Sequence, residues 1–194
     1  MNARFDTRGW LRWMGSLVGF PLAGLAAKAV TGPIDSTVAA VAGGLAAGAV
    51  LGGVQAFALR LDLPHRLAWA VATALGTSAG LAVGSTAVDF ATDTLSLVTM
   101  GAFTGLGIGV AQAAVMVGPP LRRVVWAVVT PMLWALGWLI TSQVIVDVDA
   151  QYATFGASGA LVATLLGGVV LAVGSVARNS STVVGAGDSL SGVR

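Results

Sequence analysis

The sequence predicts an all-α membrane protein with six transmembrane helices, and three observations predict it. Of its 194 residues, 56% are hydrophobic and only 9% are charged, against about 25% charged in a soluble domain. Six apolar segments can be read, at 11–31, 37–59, 67–88, 95–117, 124–146 and 154–176. Each is long enough to cross a hydrocarbon core of about 30 Å at roughly 1.5 Å per helical residue. Finally, basic and acidic residues alternate between successive gaps. In lipid every backbone N–H and C=O needs a partner within its own segment, so helices are the expected form.

The head, 1–10, carries Arg4 and Arg8, with Arg12 just inside the first span. That span, 11–31, contains Ala27-Lys28-Ala29, which mimics a signal-peptide cleavage site. Its apolar run is long, however, and it carries Trp13 and Gly24 in the register of later spans, so a retained helix is expected. Of the 10 Lys and Arg residues, only Lys28 departs from one set of gaps, which holds Arg4/Arg8/Arg12, Arg60/Arg66, Arg122/Arg123 and Arg178/Arg194. The alternate gaps carry Asp35, Asp89/Asp93 and Asp147/Asp149. Arginine-bearing loops mark the cytoplasmic side, which puts both termini there. Short connections predict antiparallel hairpins. The tail, 177–194, is small and polar, and is expected to be disordered. The Ala/Gly/Val/Arg bias resembles a bacterial genome of high GC content, and a bacterial inner membrane is the expected location.

Shifting the chain by 57 residues aligns Gly44, Gly48 and Gly52 with Gly101, Gly105 and Gly109. The match continues through Gln55/Gln112, Arg66/Arg123, Trp69/Trp126, Thr73/Thr130 and Gly80/Gly137. Trp13 and Gly24 extend it at an offset of 56, and Gly159, Ala163 and Gly167 at 58. The unit is a glycine-striped span, a basic turn and a span opening with Trp. Copies of one type cross in the same direction, so the repeats are parallel, about an axis along the membrane normal. A pseudo-threefold bundle of three hairpins is expected.

Glycines at i, i+4, i+8 leave a groove that lets a neighbouring backbone approach closely. Gly44, Gly48, Gly52, Gly101, Gly105, Gly109, Gly159 and Gly167 are therefore the expected packing positions. Gln55 and Gln112 hold amides inside spans, where an unpaired amide costs several kcal/mol, so each is expected to bond across helices or to line a polar ring. The third copy has Val170 at that place, which breaks any ring. Trp13, Trp69 and Trp126, with Arg66 and Arg123, are expected to anchor the cytoplasmic interface as part of an aromatic belt. Pro21 and Pro131 lie inside spans and are candidate kinks.

The composition excludes several classes. The absence of cysteine removes disulfides and thiolate metal sites. With one His and no metal-ligand cluster, carboxylate pair within a span or phosphate-binding motif, no catalytic residue, metal or cofactor is expected. The basic residues are scattered loop anchors, which argues against nucleic acid as a partner. Gly156-Ala157-Ser158-Gly159 resembles the serine motif of rhomboid intramembrane proteases, but no His follows Ser158. His65 lies in a turn on the opposite face, far beyond the roughly 3 Å that a serine and its base require.

The striped span, Gln, basic turn and Trp-led span together resemble uncharacterised bacterial multi-spanning membrane proteins with repeated glycine-striped hairpins, over about residues 40–145. That resemblance implies no activity. Two functions are consistent with the pattern. One is a non-catalytic protein that packs through its glycine grooves, in lipid, with itself or within a larger membrane assembly. The other is a small channel or transporter with its path near Gln55 and Gln112.

Overall fold

The computed structural model describes residues 7–144 and 153–188, with side chains described for 7–144 and 153–172. All regular structure among them is helical: α1 (Thr7–Gly15), a 3₁₀ turn (Ser16–Val18), α2 (Gly19–Thr31), α3 (Thr37–Ala58), α4 (Leu63–Ala87), α5 (Thr94–Val115), α6 (Pro120–Ser142) and α7 (Ala157–Asp188). Five helices are long and apolar enough to cross a membrane, counting Thr7–Thr31 as one, and a shorter apolar helix covers Ala157–Ala172. These are the features of a multi-pass membrane protein.

Local chemistry sets the boundaries. Ser36, Asp62 and Asp93 cap α3, α4 and α5 by accepting main-chain N–H groups of Ala39, His65 and both Leu95 and Ser96. Pro119 holds the N-cap position of α6 without a side-chain hydrogen bond, and Pro64 and Pro120 sit in first turns, where a missing N–H costs nothing. Pro21 has a larger effect. Its ring cannot donate to the carbonyl of Leu17 and crowds it, and the first span is interrupted there by the 3₁₀ turn. Pro131 lies inside α6, which continues unbroken to Ser142. The last helix extends to Asp188, so the described part of the expected disordered tail is helical. Asp147, Asp149, Arg4 and Arg194 lie outside the described residues.

Each helix packs on its chain neighbours, and α7 closes the circuit against α1 and α2. The result is a six-membered ring. Its perimeter is apolar, with Val38 79%, Leu95 74% and Leu25 64% exposed. Its interior holds Thr73, Thr77, Thr104 and Gln112, each fully buried. Apolar residues outside and hydrogen-bonded polar residues inside suit a hydrocarbon surround, since an apolar perimeter this extensive is rare on a water-exposed monomer.

Small residues let the walls close. A Cβ on Gly44 would lie 2.7 Å from Ser78 Cα, one on Gly48 2.6 Å from Ala74 Cα, and one on Gly52 2.6 Å from Thr73 Cβ. In the next hairpin a Cβ on Gly105 would lie 2.7 Å from Pro131 Cα and one on Gly109 2.9 Å from Thr130 Cβ, and Gly101 abuts Trp134 and Trp138. These six glycines pack α3 on α4 and α5 on α6. Gly159 abuts the Gly137 carbonyl of α6. Gly167 is less tightly enclosed than expected: a Cβ there would find its nearest neighbour 3.5 Å away, an ordinary contact with Trp13, whereas one on Gly168 would lie 2.9 and 3.1 Å from Trp13 and Trp10.

A second stripe was not anticipated as a packing surface. Gly76, Gly80 and Gly84 of α4 abut Gly107, Thr104 and Met100 of α5, and Gly76 and Gly107 each approach the other's carbonyl. The signal was present in the i, i+4, i+8 spacing of those three glycines.

Candidate functional site

Two interior glutamines meet at the centre of a polar cluster. Gln112 of α5 donates through Nε2 to Oε1 of Gln55 in α3 at 2.9 Å, and to Oγ1 of Thr73 in α4 at 2.8 Å. Each glutamine oxygen also accepts an indole N–H from the next helix. Trp69 donates to Gln55 at 3.2 Å and Trp126 to Gln112 at 2.9 Å. An indole nitrogen only donates, so these bonds settle which end of each amide is oxygen.

The helices position these groups alike. Trp69 and Trp126 follow the N-caps Asp62 and Pro119 by two turns, and both point inward. The Thr73 and Thr130 hydroxyls turn back onto the carbonyls of Trp69 and Trp126, at 2.7 and 2.6 Å. Every bond made by Trp69 or Thr73 within its own hairpin has a counterpart made by Trp126 or Thr130.

The first span carries the same device, altered. The Ser16 hydroxyl donates to the Trp13 carbonyl at 2.6 Å. The spacing from indole residue to hydroxyl is three rather than four, and the 3₁₀ turn that begins at Ser16 fits the shorter step. Trp13 faces no glutamine. Its indole donates to the main-chain carbonyl of Thr164 in α7 at 2.8 Å. Burial on α7 falls at Gly159, Ala160, Ala163, Thr164, Gly167, Gly168 and Leu171, the α5 pattern displaced by 59 positions. Leu171, 1% exposed, therefore stands where Gln112 stands in α5, in place of the Val170 expected from the sequence.

The three tryptophans correct an expectation. Trp13, Trp69 and Trp126 are 3%, 3% and 4% exposed. They are packed inside the ring and do not form an outward belt. Trp126 meets Trp13 edge-on at 6.0 Å, and the Trp69 ring lies tilted to it at 6.4 Å. Offset and edge-to-face rings are the favoured arrangements, and the N–H groups reach amide or carbonyl acceptors that lipid cannot supply. The cluster lies at the arginine-bearing end. There Arg66 donates from Nη2 to the Leu61 carbonyl at 3.0 Å and covers the Phe57 ring at 4.0 Å, while Arg123 is exposed.

A second aromatic layer stands toward the other end, where Phe20 stacks on Phe155 at 4.9 Å and Trp134 meets Phe155 edge-on at 5.0 Å. Between the layers is a cavity of about 30 Å³. Its polar lining is Gln55, Gln112, Thr130 and Thr164. The Thr164 hydroxyl is buried and has no hydrogen-bond partner among the described residues.

Titratable groups lie at the periphery. The side-chain hydrogen bond from His65, then its main-chain N–H, lowers the Asp62 carboxyl from its ordinary value. The Ser96 hydroxyl and N–H do the same for Asp93. Ser158 and His65 open α7 and α4, helices that start from opposite ends of the ring. No group of three His, Cys, Asp or Glu gathers among the described residues. The interior cluster is built of amides, hydroxyls and indoles, whose chemistry is hydrogen bonding. Compared with protein-family models, curated proteins and solved structures, the chain matches none.

Proposed function

We propose that this chain is a non-catalytic integral membrane protein with a structural or accessory role, held together by glycine-mediated helix packing and an interior amide–indole cluster. The observation that carries this reading is that Gln55, Gln112, Trp69, Trp126 and Thr73 are joined in one hydrogen-bonded cluster. The Gln55 oxygen serves Trp69 and Gln112, both Gln112 amide hydrogens serve other helices, and the Gln112 oxygen serves Trp126. More than half of the hydrogen-bonding capacity of the two amides is thereby spent on protein groups, which favours a packing role over solute selection. The six-helix circuit is read as three parallel hairpin repeats about a pseudo-threefold axis, supported by the hydroxyl-to-carbonyl bonds at Trp13, Trp69 and Trp126. Its termini are assigned to the cytoplasmic face of a bacterial inner membrane, supported by the placement of the arginines. Further copies of the chain or a larger assembly are its proposed protein partners.

Flux measurement decides between this reading and a channel or transporter. Proteoliposomes holding the purified chain should pass water, glycerol, urea and small ions no faster than empty vesicles. A flux that appears with the parent chain and vanishes on Gln55→Leu with Gln112→Leu overturns the proposal. For the threading, tags on both ends should resist protease added outside intact cells, and digestion of either tag reverses the assignment.

A further inference from the structure

The arginines at one end of the ring are not alike. Arg8, Arg12, Arg60 and Arg123 are exposed, whereas Arg66 is partly buried. A carboxylate lies one turn before Arg66 in the same helix, yet Asp62 bonds the His65 ring at 2.5 Å and makes no ion pair with the arginine. Arg66 instead lies against the end of α3. Its guanidinium carbon stands 4.0 Å from the centre of the Phe57 ring, and Nη2 donates to the Leu61 carbonyl at 3.0 Å. Nε is buried without a partner among the described residues. Nη1 also makes no hydrogen bond there, but unlike Nε it is not enclosed. A cation is thus held in one orientation with an accessible donor and no carboxylate on it.

We infer that Arg66 is the centre of a site for the phosphate of an anionic phospholipid, in the leaflet that meets the arginine-bearing end. The surround fits a lipid. Phe57 and Leu63 are each 64% exposed and Leu67 58%, and Val71 and Leu75 continue the exposed stripe down α4 at every fourth position. An acyl chain lying on that stripe puts its headgroup at the top of it, beside Arg66. Charge fits as well. A guanidinium on an apolar perimeter, with its nearest carboxylate engaged by His65, favours an anion from the solvent around it. The planar fork of N–H groups matches phosphate. The Phe57 ring and the Leu61 carbonyl already fix the plane of that fork, so little side-chain freedom is lost on binding.

The internal repeat supplies a control. Arg123 matches Arg66 at the shift of 57, but Ala114 stands where Phe57 does, and Arg123 is exposed. The second turn is also the more basic, with Arg122 and Pro119 in the places of His65 and Asp62. Diffuse attraction of anionic lipid to basic loops would favour the second turn. A site built on the aromatic support favours the first.

Native mass spectrometry of the full chain, released from neutral detergent with added phosphatidylglycerol or phosphatidylcholine, tests the site. The parent should retain phosphatidylglycerol in preference to phosphatidylcholine. Arg66→Gln should weaken phosphatidylglycerol binding about fivefold, the effect of one interfacial charge. Phe57→Leu, which keeps apolar bulk and removes the ring face, should weaken it too, and Arg123→Gln should leave it near the parental value. Parental binding by Arg66→Gln, or equal losses at Arg66 and Arg123, overturns the proposal. Displacement of the lipid by excess inorganic phosphate also overturns it, because the site would then take a soluble anion. Should Arg66→Gln fail to fold, Arg66→Lys decides: it keeps the charge without the fork, so weaker binding is expected and parental binding refutes the site.

Discussion

Gln112 Nε2 donates to Gln55 Oε1 at 2.9 Å, joining two helices whose matched residues stand 57 positions apart in the chain. Each partner is held by an indole of the helix that follows it, so the contact links four helices. Gln112→Leu therefore strands Trp126 Nε1 and removes a partner from both Gln55 and Thr73. We expect a loss of about 1–2 kcal/mol per broken interhelical bond at most, with Gln112→Leu costing more than Gln55→Leu. The double variant should cost less than the sum of the singles, because they share one bond. Unfolding titrations in mixed micelles measure this, and strict additivity would show that the amides do not interact.

The glycines differ in what surrounds them, which gives an internal control. Gly80→Ala drives a Cβ into the Phe103 carbonyl and to 2.7 Å from Thr104 Cα, whereas nothing lies within 4 Å of a Cβ on Gly53. Gly80→Ala should destabilise, while Gly53→Ala should be neutral or gain up to about 1 kcal/mol from helix propensity. Similarly, Gly168→Ala should cost more than Gly167→Ala. Thermal midpoints of the four variants test the ranking, and an equal response at Gly80 and Gly53 would refute backbone-to-backbone packing.

The inward tryptophans make an optical prediction. In a Trp10→Phe background, the remaining indoles are all buried. Lipids brominated along their acyl chains should then quench the fluorescence weakly at every bromine depth. Strong quenching near the headgroup would restore the interfacial belt.

Asp93 sets a pH dependence at the start of α5. The Ser96 hydroxyl, followed by the Ser96 N–H, lowers its carboxyl from an ordinary value of 3.8. A depressed pKa in the folded state adds stability above the unfolded value, and that contribution fades as pH falls through the folded value. The gap in unfolding midpoint between the parent and Asp93→Asn should therefore stay constant from pH 7 to about 5 and narrow below about 4. A gap that widens on acidification would contradict the cap.

Much of this was legible from the residues alone. Span number, alternation of loop charge and the matched residues from Gly44 to Gly137 follow from local spacing. The glycine stripes follow as well, including the overlooked set at Gly76, Gly80 and Gly84. In a bilayer the length and polarity of a segment answer to the solvent directly, so the sequence by itself determined an all-helical, multi-pass architecture and singled out Gln55 and Gln112 as interior polar groups. Only the tertiary structure decided which way the tryptophans turn, because Trp near a helix end suits either a lipid interface or a packed core. It also decided that Leu171 rather than Val170 faces the cluster, since a shift of one residue along α7 moves a side chain by about 100°. The ring closure of α7 on α1 and α2, and the cavity beside Thr164, depend on where six helices come to rest together, a property no single segment contains.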